Sequence, residues 1–326
     1  MKRLLLTLWM VAVLALAFGA GFVRLPYYSV GPGPANEVVP LIHVQGHPTY
    51  DTGTLVMTTV SERQLTAVTA FAAWLNPDVM VVSQQTLFPP GTTIAAEQRR
   101  SISQMDQSKI DATALVLGKL AGYPKDHGSG ALIEGVGAGC PAEGKLFTGD
   151  VILAIDGQPI RTAADASSAI DGVAPGTSID FRVRAGGTTQ DVRVARGPCP
   201  GIDRPVVGIS SLDNFPFPVT IESGNIGGPS AGSMFALSLY DLLTPGDLTS
   251  GRVVAGTGTI SPDGTIGPIG GITDKIVAAR DAGAAIFLCP KANYAEAKTA
   301  DAGTMKIVSV GTFDDALAFL HPGPTG

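Results

Sequence analysis

The sequence predicts a mixed protein, α+β to α/β in class, with two packed units behind one apolar N-terminal segment. Three observations predict it. The chain opens with Met1-Lys2-Arg3 and an uncharged run of 20 residues that begins at Leu4 and ends at Val23. Residues 128–195 carry short strands, tight Gly/Asp turns and one short helical pattern. From about residue 206 onward, short apolar strands alternate with helices, the pattern of an α/β sheet.

Length and composition agree. At 326 residues the chain exceeds one average domain and suits two compact ones plus a tether. It is 45% hydrophobic and 15% charged, which is globular rather than disordered. The net charge of −6, with no basic block longer than a pair, argues against nucleic-acid binding. No repeat at solenoid period occurs, and the glycines and prolines fall as dispersed turn signals.

The run from Leu4 to Val23 is long enough to cross the roughly 30 Å of a bilayer core as a helix. Lys2 and Arg3 would stay cytoplasmic, which places everything after Arg24 outside a plasma membrane as a single-pass protein. A cleaved signal peptide is the rival, because Ala15-Leu16-Ala17 offers small residues near a cleavage site. The run stays apolar to Val23, longer than a usual signal core, and this favours the anchor. After it, Leu25-Pro26-Tyr27-Tyr28 and the Pro/Gly-rich stretch to Pro34 form a connector whose tyrosines suit the membrane interface. Residues 53–60 read as a strand. Residues 62–75 have helical spacing through Leu65, Val68, Phe71, Ala72 and Leu75. Residues 95–120 read as helical, in one or two pieces.

Three cysteines remain. Cys140 and Cys199 lie near the two ends of the small second unit, and the sequence leaves open whether they pair. Cys289 sits in the apolar run Ala285-Ile286-Phe287-Leu288-Cys289 and reads as a buried thiol. No spacing suits metal ligands and only four histidines occur, so no metal and no cofactor is expected.

In the second unit, Gly149-Asp150-Val151-Ile152 leads into a strand closed by Asp156-Gly157, a strong hairpin signal, followed by Gln158-Pro159-Ile160. A helix is expected over 163–170 and strands over 178–184 and 189–195. This succession resembles a PDZ domain of the bacterial protease type, a β-rich, partly open barrel. The resemblance implies binding of extended protein or peptide segments beside the helix. Gly128-Ser129-Gly130-Ala131 takes the expected place of the carboxylate-binding loop but lacks its large apolar residues.

The chemistry concentrates further on. A strand over 217–221 leads into Gly227-Gly228-Pro229-Ser230-Ala231-Gly232, and a helix over 230–243 follows. Pro229 suits a first helical turn. Ser230, framed by glycines, is a candidate nucleophile, and backbone N–H groups of Gly228, Ser230 and Ala231 are candidates to hold an oxyanion. No histidine is near. Lys275 follows Gly270-Gly271-Ile272-Thr273-Asp274 and precedes Ile276-Val277-Ala278-Ala279. Among apolar neighbours a lysine amine loses its charge more easily and can serve as a base. On a helix, Asp274 points about 100° away from it.

These motifs resemble the proteolytic domain of the Lon family over about residues 206–320. The match runs through Gly228-Pro229-Ser230-Ala231-Gly232, Thr257-Gly258-Thr259-Ile260-Ser261, Gly267-Pro268-Ile269-Gly270-Gly271, Lys275 and Pro290-Lys291-Ala292-Asn293. It implies a serine endopeptidase with Ser230 as nucleophile, Lys275 as base, Thr257 as a partner of the lysine, and an oligomer. Where many Lon proteases carry an acidic residue three before the serine, this chain has Gly227. The arrangement as a whole resembles the membrane-anchored PDZ–Lon proteins of bacteria, which implies either that residues 53–60 and the helices after them join the peptidase fold with the PDZ domain inserted into it, or that they form a separate N-terminal subdomain. No Gly-x-x-x-x-Gly-Lys-Ser/Thr occurs, so ATP-independent proteolysis is expected. The divisions expected are 1–24 (anchor or signal), 25–125 (strand and helices), 126–198 (PDZ), 199–322 (peptidase) and 323–326 (tail).

Two rivals remain. Gly228-Pro229-Ser230-Ala231-Gly232 also fits the nucleophile elbow of a Ser–His esterase, with His321 the one histidine after it. A non-enzymatic PDZ scaffold on a Lon-like body is the other.

Overall fold

In the computed structural model, residues 9, 10, 19, 21–50, 52–76, 78–88, 91 and 93–321 are described. Most of the expected span from Leu4 to Val23 and all of the tail 323–326 lie outside them. Among the described residues no helix is long and apolar enough to cross a membrane.

A six-stranded mixed sheet organises the larger unit, in the order Lys306–Val310, Ile286–Pro290, Val253–Gly256, Thr54–Thr66, Arg24–Glu37 and Met80–Ser83. The first four strands are parallel, and the last two add antiparallel pairings. All five residues of Ile286–Pro290 are buried, as expected for a parallel strand covered on both faces. Strand period 2 sorts the core. Leu55 and Met57 join Val254 and Leu288 on one face, against the helices Ile94–Leu120 and Gly232–Leu243. Val56 joins Ala255 and Phe287 on the other, against the helix Ile272–Asp281. The sheet thus draws on both the N-terminal region and the C-terminal third.

Between these parts of the chain lies a small antiparallel sheet, ordered Ile209–Asp213, Ala131–Val136, Val151–Ile155, Ser178–Ala185 and Thr188–Ala195. The strict inward alternation of Ser178–Ala185 places Ile179, Phe181 and Val183 in its core with Ile133, Ile152 and Val194. Asp156 and Gly157 take positive φ of 46° and 77°, the hairpin turn their order signals. Cys140 and Cys199 form a disulfide with Cα atoms 4.4 Å apart. Strand Ile209–Asp213, in the stretch read from sequence as peptidase, pairs with Ala131–Val136.

Two segments differ from the sequence reading: the stretch to Pro34 read as a connector lies within the strand Arg24–Glu37, and the helix expected over 62–75 starts late. Residues 62–66 are strand rather than helix, because Thr54–Thr66 stays paired with Arg24–Glu37 through Thr66. The helix Ala67–Leu75 starts only where Thr66 caps it with a capping box. Ile94–Leu120 is one unbroken helix of 27 residues, capped by Thr93.

Candidate active site

The two candidate residues approach from opposite faces of the main sheet and meet where the strand Val253–Gly256 ends. Gly228 enters the serine loop with φ 85° and ψ 150°, a conformation that favours glycine. Pro229 then opens a short 3₁₀ turn, Pro229–Ala231, which runs into Gly232–Leu243. The turn is pinned from three sides. Ser108 Oγ donates to the Pro229 carbonyl at 3.1 Å. Gly258 N–H and Thr257 Oγ1 both donate to the Ser230 carbonyl, at 2.8 and 2.9 Å. Gly228 N–H donates to the Ser101 carbonyl at 2.8 Å.

Lys275 lies on the first turn of Ile272–Asp281 and is 3% exposed. Its Nζ donates to the Thr58 carbonyl at 2.6 Å and to Ser230 Oγ at 3.1 Å. Both acceptors are neutral, so nothing offsets the loss of hydration. Burial pushes the amine down from 10.5 to about 8. Asp274 holds no such bond, and its own burial, with Asp78 nearby, raises its carboxyl. The loop before the helix is fixed by Asn293, whose side chain accepts from Ile269 N–H and donates to the Ile269 carbonyl, each at 2.9 Å. Gly271 turns the chain there with φ 66°.

This geometry suits proton transfer. A neutral amine 3.1 Å from Ser230 Oγ has a lone pair to accept the hydroxyl proton, and a pKa near 8 keeps a working fraction neutral at physiological pH. Two expectations shift. Thr257 is bonded to the backbone of Ser230 rather than to the lysine; the acceptor that orients Lys275 is the carbonyl of Thr58. The Gly228 N–H, a candidate oxyanion donor, is committed to the long helix through Ser101. Ser230 and Ala231 occupy the 3₁₀ turn, where the other two candidate amides sit. Ser101, Ser108 and Thr58 were missed from sequence because two of them act through main-chain carbonyls, which leave no mark in side-chain patterns.

His321 follows the helix Phe313–Leu320 and lines a cavity with Tyr240, Asp241 and Leu317, on the far side of Gly232–Leu243 from its serine end. Lys275, not His321, meets the hydroxyl of Ser230. Among the described residues no group of His, Cys, Asp and Glu side chains is placed to hold a metal ion.

In the small unit the edge strand is Ile209–Asp213, entered through Val206-Val207-Gly208 with Gly208 at φ 85°. The helix Ala163–Asp171 lies beside it, and Ala163 N–H donates to Asp213 Oδ1 at 2.7 Å. The stretch Gly128-Ser129-Gly130-Ala131 runs into Ala131–Val136 and lies against the end of this edge strand, with Ala131 opposite Asp213. Gly130 N–H donates to the Arg161 carbonyl, and Gly128 N–H to that of Asn214. Val207 and Ile209 pack on the core of the small unit.

Residues 217–320 match the family model of the Lon protease (S16) C-terminal proteolytic domain, and residues 132–184 match a PDZ domain. The chain is 41% identical over 98 residues to the Lon protease of Campylobacter concisus, covering 28% of this chain and 11% of that one. It is 38% identical over 122 residues to Lon protease 1 of Myxococcus xanthus (36% and 14%). To Lon protease 2 of Bacillus subtilis it is 36% identical over 111 residues (34% and 19%). It therefore spans between 11% and 19% of the length of these curated relatives. Among solved structures, the PDZ domain of the SdrC-like protein of Listeria innocua is 23% identical, covers 25% of this chain and 92% of that one, and superposes with a TM-score of 0.24.

Proposed function

We infer the function of this chain from its matches to a Lon-type serine proteolytic domain and a PDZ domain. From that starting point we propose an ATP-independent serine endopeptidase, tethered to the plasma membrane by residues 4–23 with its folded units outside. Ser230 is the nucleophile. Lys275 takes its proton, forming an acyl-enzyme, and later activates the water that releases it. Thr257 positions Ser230 through its carbonyl, and the amides of Ser230 and Ala231 face the developing oxyanion. The PDZ unit, bounded by Ala131–Val136 and Ile209–Asp213, captures extended or unfolded segments at its free edge strand. The peptidase unit is assembled around it from the N-terminal strands and the C-terminal third. Like other Lon-type domains, it works as a homo-oligomer.

One observation carries the reading: a lysine 3% exposed, with no acidic partner among the described residues, places its amine 3.1 Å from the hydroxyl of the glycine-framed serine. The tether is supported by the uncharged run from Leu4 to Val23 behind Lys2 and Arg3.

The test is cleavage of a permanently unfolded protein by the full chain in detergent, with and without ATP, beside Ser230→Ala and Lys275→Ala, with products read by mass spectrometry. Cleavage by the parent alone, indifferent to ATP, is expected. Equal cleavage by all three proteins would remove the dyad. Capture without cleavage by the parent would favour the scaffold.

A further inference from the structure

The helix Ala67–Leu75 carries no charged residue, and Ala73 is its one buried residue. Val68, Phe71, Trp74 and Leu75 are 51%, 62%, 75% and 62% exposed. Thr69, its one polar residue, is turned back into the cap: the hydroxyl donates to the Thr66 carbonyl at 3.2 Å and accepts the Thr66 N–H at 2.7 Å. The helix therefore shows hydrocarbon and aromatic ring outward. Phe71 and Trp74 lie together, ring centroids 6.1 Å apart. Met80 and Val81, 60% and 44% exposed, continue the patch onto the edge strand beside the helix. With roughly 150–250 Å² per aromatic side chain, Phe71 and Trp74 alone leave on the order of 300 Å² of apolar surface uncovered. That already matches the largest patch of a typical soluble monomer.

Where the chain enters the sheet says what covers this face. The uncharged run ends at Val23, and Arg24, the next residue, pairs with Thr66, the residue that caps the helix. The apolar run and the apolar helix thus leave the sheet from one point, about one inter-strand spacing (~5 Å) apart. A chain emerging from a bilayer at Val23 lays the helix, about 13 Å long, along the level where tryptophan side chains concentrate. A partner protein would explain the apolar patch but not its position at the exit of the run.

We propose that the face formed by Val68, Phe71, Trp74, Leu75, Met80 and Val81 docks on the lipid–water interface of the membrane that holds residues 4–23. The peptidase then rests against the bilayer at a set orientation instead of pivoting about the junction of Val23 and Arg24. This rests on the tether proposed above. Because the face carries no lysine or arginine, docking depends on apolar insertion and not on anionic headgroups.

The test uses the full chain, carrying Trp9→Phe so that Trp74 is its one tryptophan, reconstituted into phosphatidylcholine vesicles with and without phosphatidylglycerol. Flotation reports the tether. Trp74 emission, with quenching by acyl-brominated lipids against aqueous iodide, reports the docking. The expected result is flotation, blue-shifted emission and quenching by brominated lipid in preference to iodide, alike in both compositions. Adding Phe71→Ser and Leu75→Ser should restore iodide quenching while the protein still floats.

Flotation with Trp74 open to iodide in the parent would overturn the docking and leave the tether standing. Shielding from both quenchers would put a protein surface, such as a second copy, on the face and would also overturn it. Brominated-lipid quenching unchanged by the double substitution would show that this face does not set the depth, and the docking would fall there too. A chain that fails to float would remove the tether and the docking with it.

Discussion

The sharpest prediction concerns pH. With the Lys275 amine titrating at about 8, the neutral fraction is about 0.09 at pH 7 and about 0.9 at pH 9. If that amine is the base, kcat/KM on an unstructured peptide climbs about tenfold across those two units, with its midpoint at about pH 8. Initial rates from pH 6 to 10, with Ser230→Ala as blank and circular dichroism at each pH, supply the profile. Burial alone lowers this amine, so Asp274→Asn should leave the midpoint in place. A flat profile would refute the reasoning. So would a rise centred in the histidine range, or a midpoint near 10.5 as for an exposed lysine.

Further outcomes follow from the same geometry. The Lys275 amine titrates lower folded than unfolded, so its burial destabilises the fold fully below about pH 8, on the order of 3 kcal/mol, and that cost is relieved as pH rises through 10.5. Lys275→Met sheds the cost but strands the Thr58 carbonyl, at about 1–3 kcal/mol. Thermal melts should show it more stable than the parent by on the order of 1 kcal/mol at pH 7 and less stable above pH 10.5. Thr257→Val removes one of two donors to the Ser230 carbonyl, so kcat should fall about tenfold with the pH midpoint unmoved, read from the same profile. Replacing Cys140 and Cys199 by serine opens a 59-residue separation and should cost the PDZ unit about 4 kcal/mol in denaturant melts, while cleavage of short peptides persists. Gly208→Val meets both a positive φ and the side chain of Cys140, so capture of unfolded protein should weaken with short-peptide turnover intact, seen by comparing kcat/KM for the two substrates.

Much of the candidate site was legible because its chemistry is local. Ser230 announces itself by Gly-Pro-Ser-Ala-Gly, where a positive φ at Gly228 and a first-turn Pro229 are short-range requirements. Lys275 announces itself by apolar neighbours on both sides, and the Asp156-Gly157 turn by its two residues alone. The helix expected over 62–66 failed for a long-range reason. Leu65 satisfies helical spacing, but pairing with a strand more than thirty residues earlier holds the segment extended. The edge strand Ile209–Asp213 escaped the sequence reading for a similar reason, since it reaches the small sheet from the far end of its chain segment.

By itself, then, the sequence determined which residues could do the chemistry: the serine, the lysine, the turns that present them and the apolar run at the start. Only the tertiary structure decided what each of them touches. It gave Lys275 the Thr58 carbonyl, moved Thr257 to the serine's backbone and engaged Gly228 with Ser101. It also left the helix after Thr66 uncovered beside the end of that run. The reason is physical: motifs record side-chain identity and local conformation, whereas main-chain acceptors and exposed faces come from segments joined only when the sheet closes.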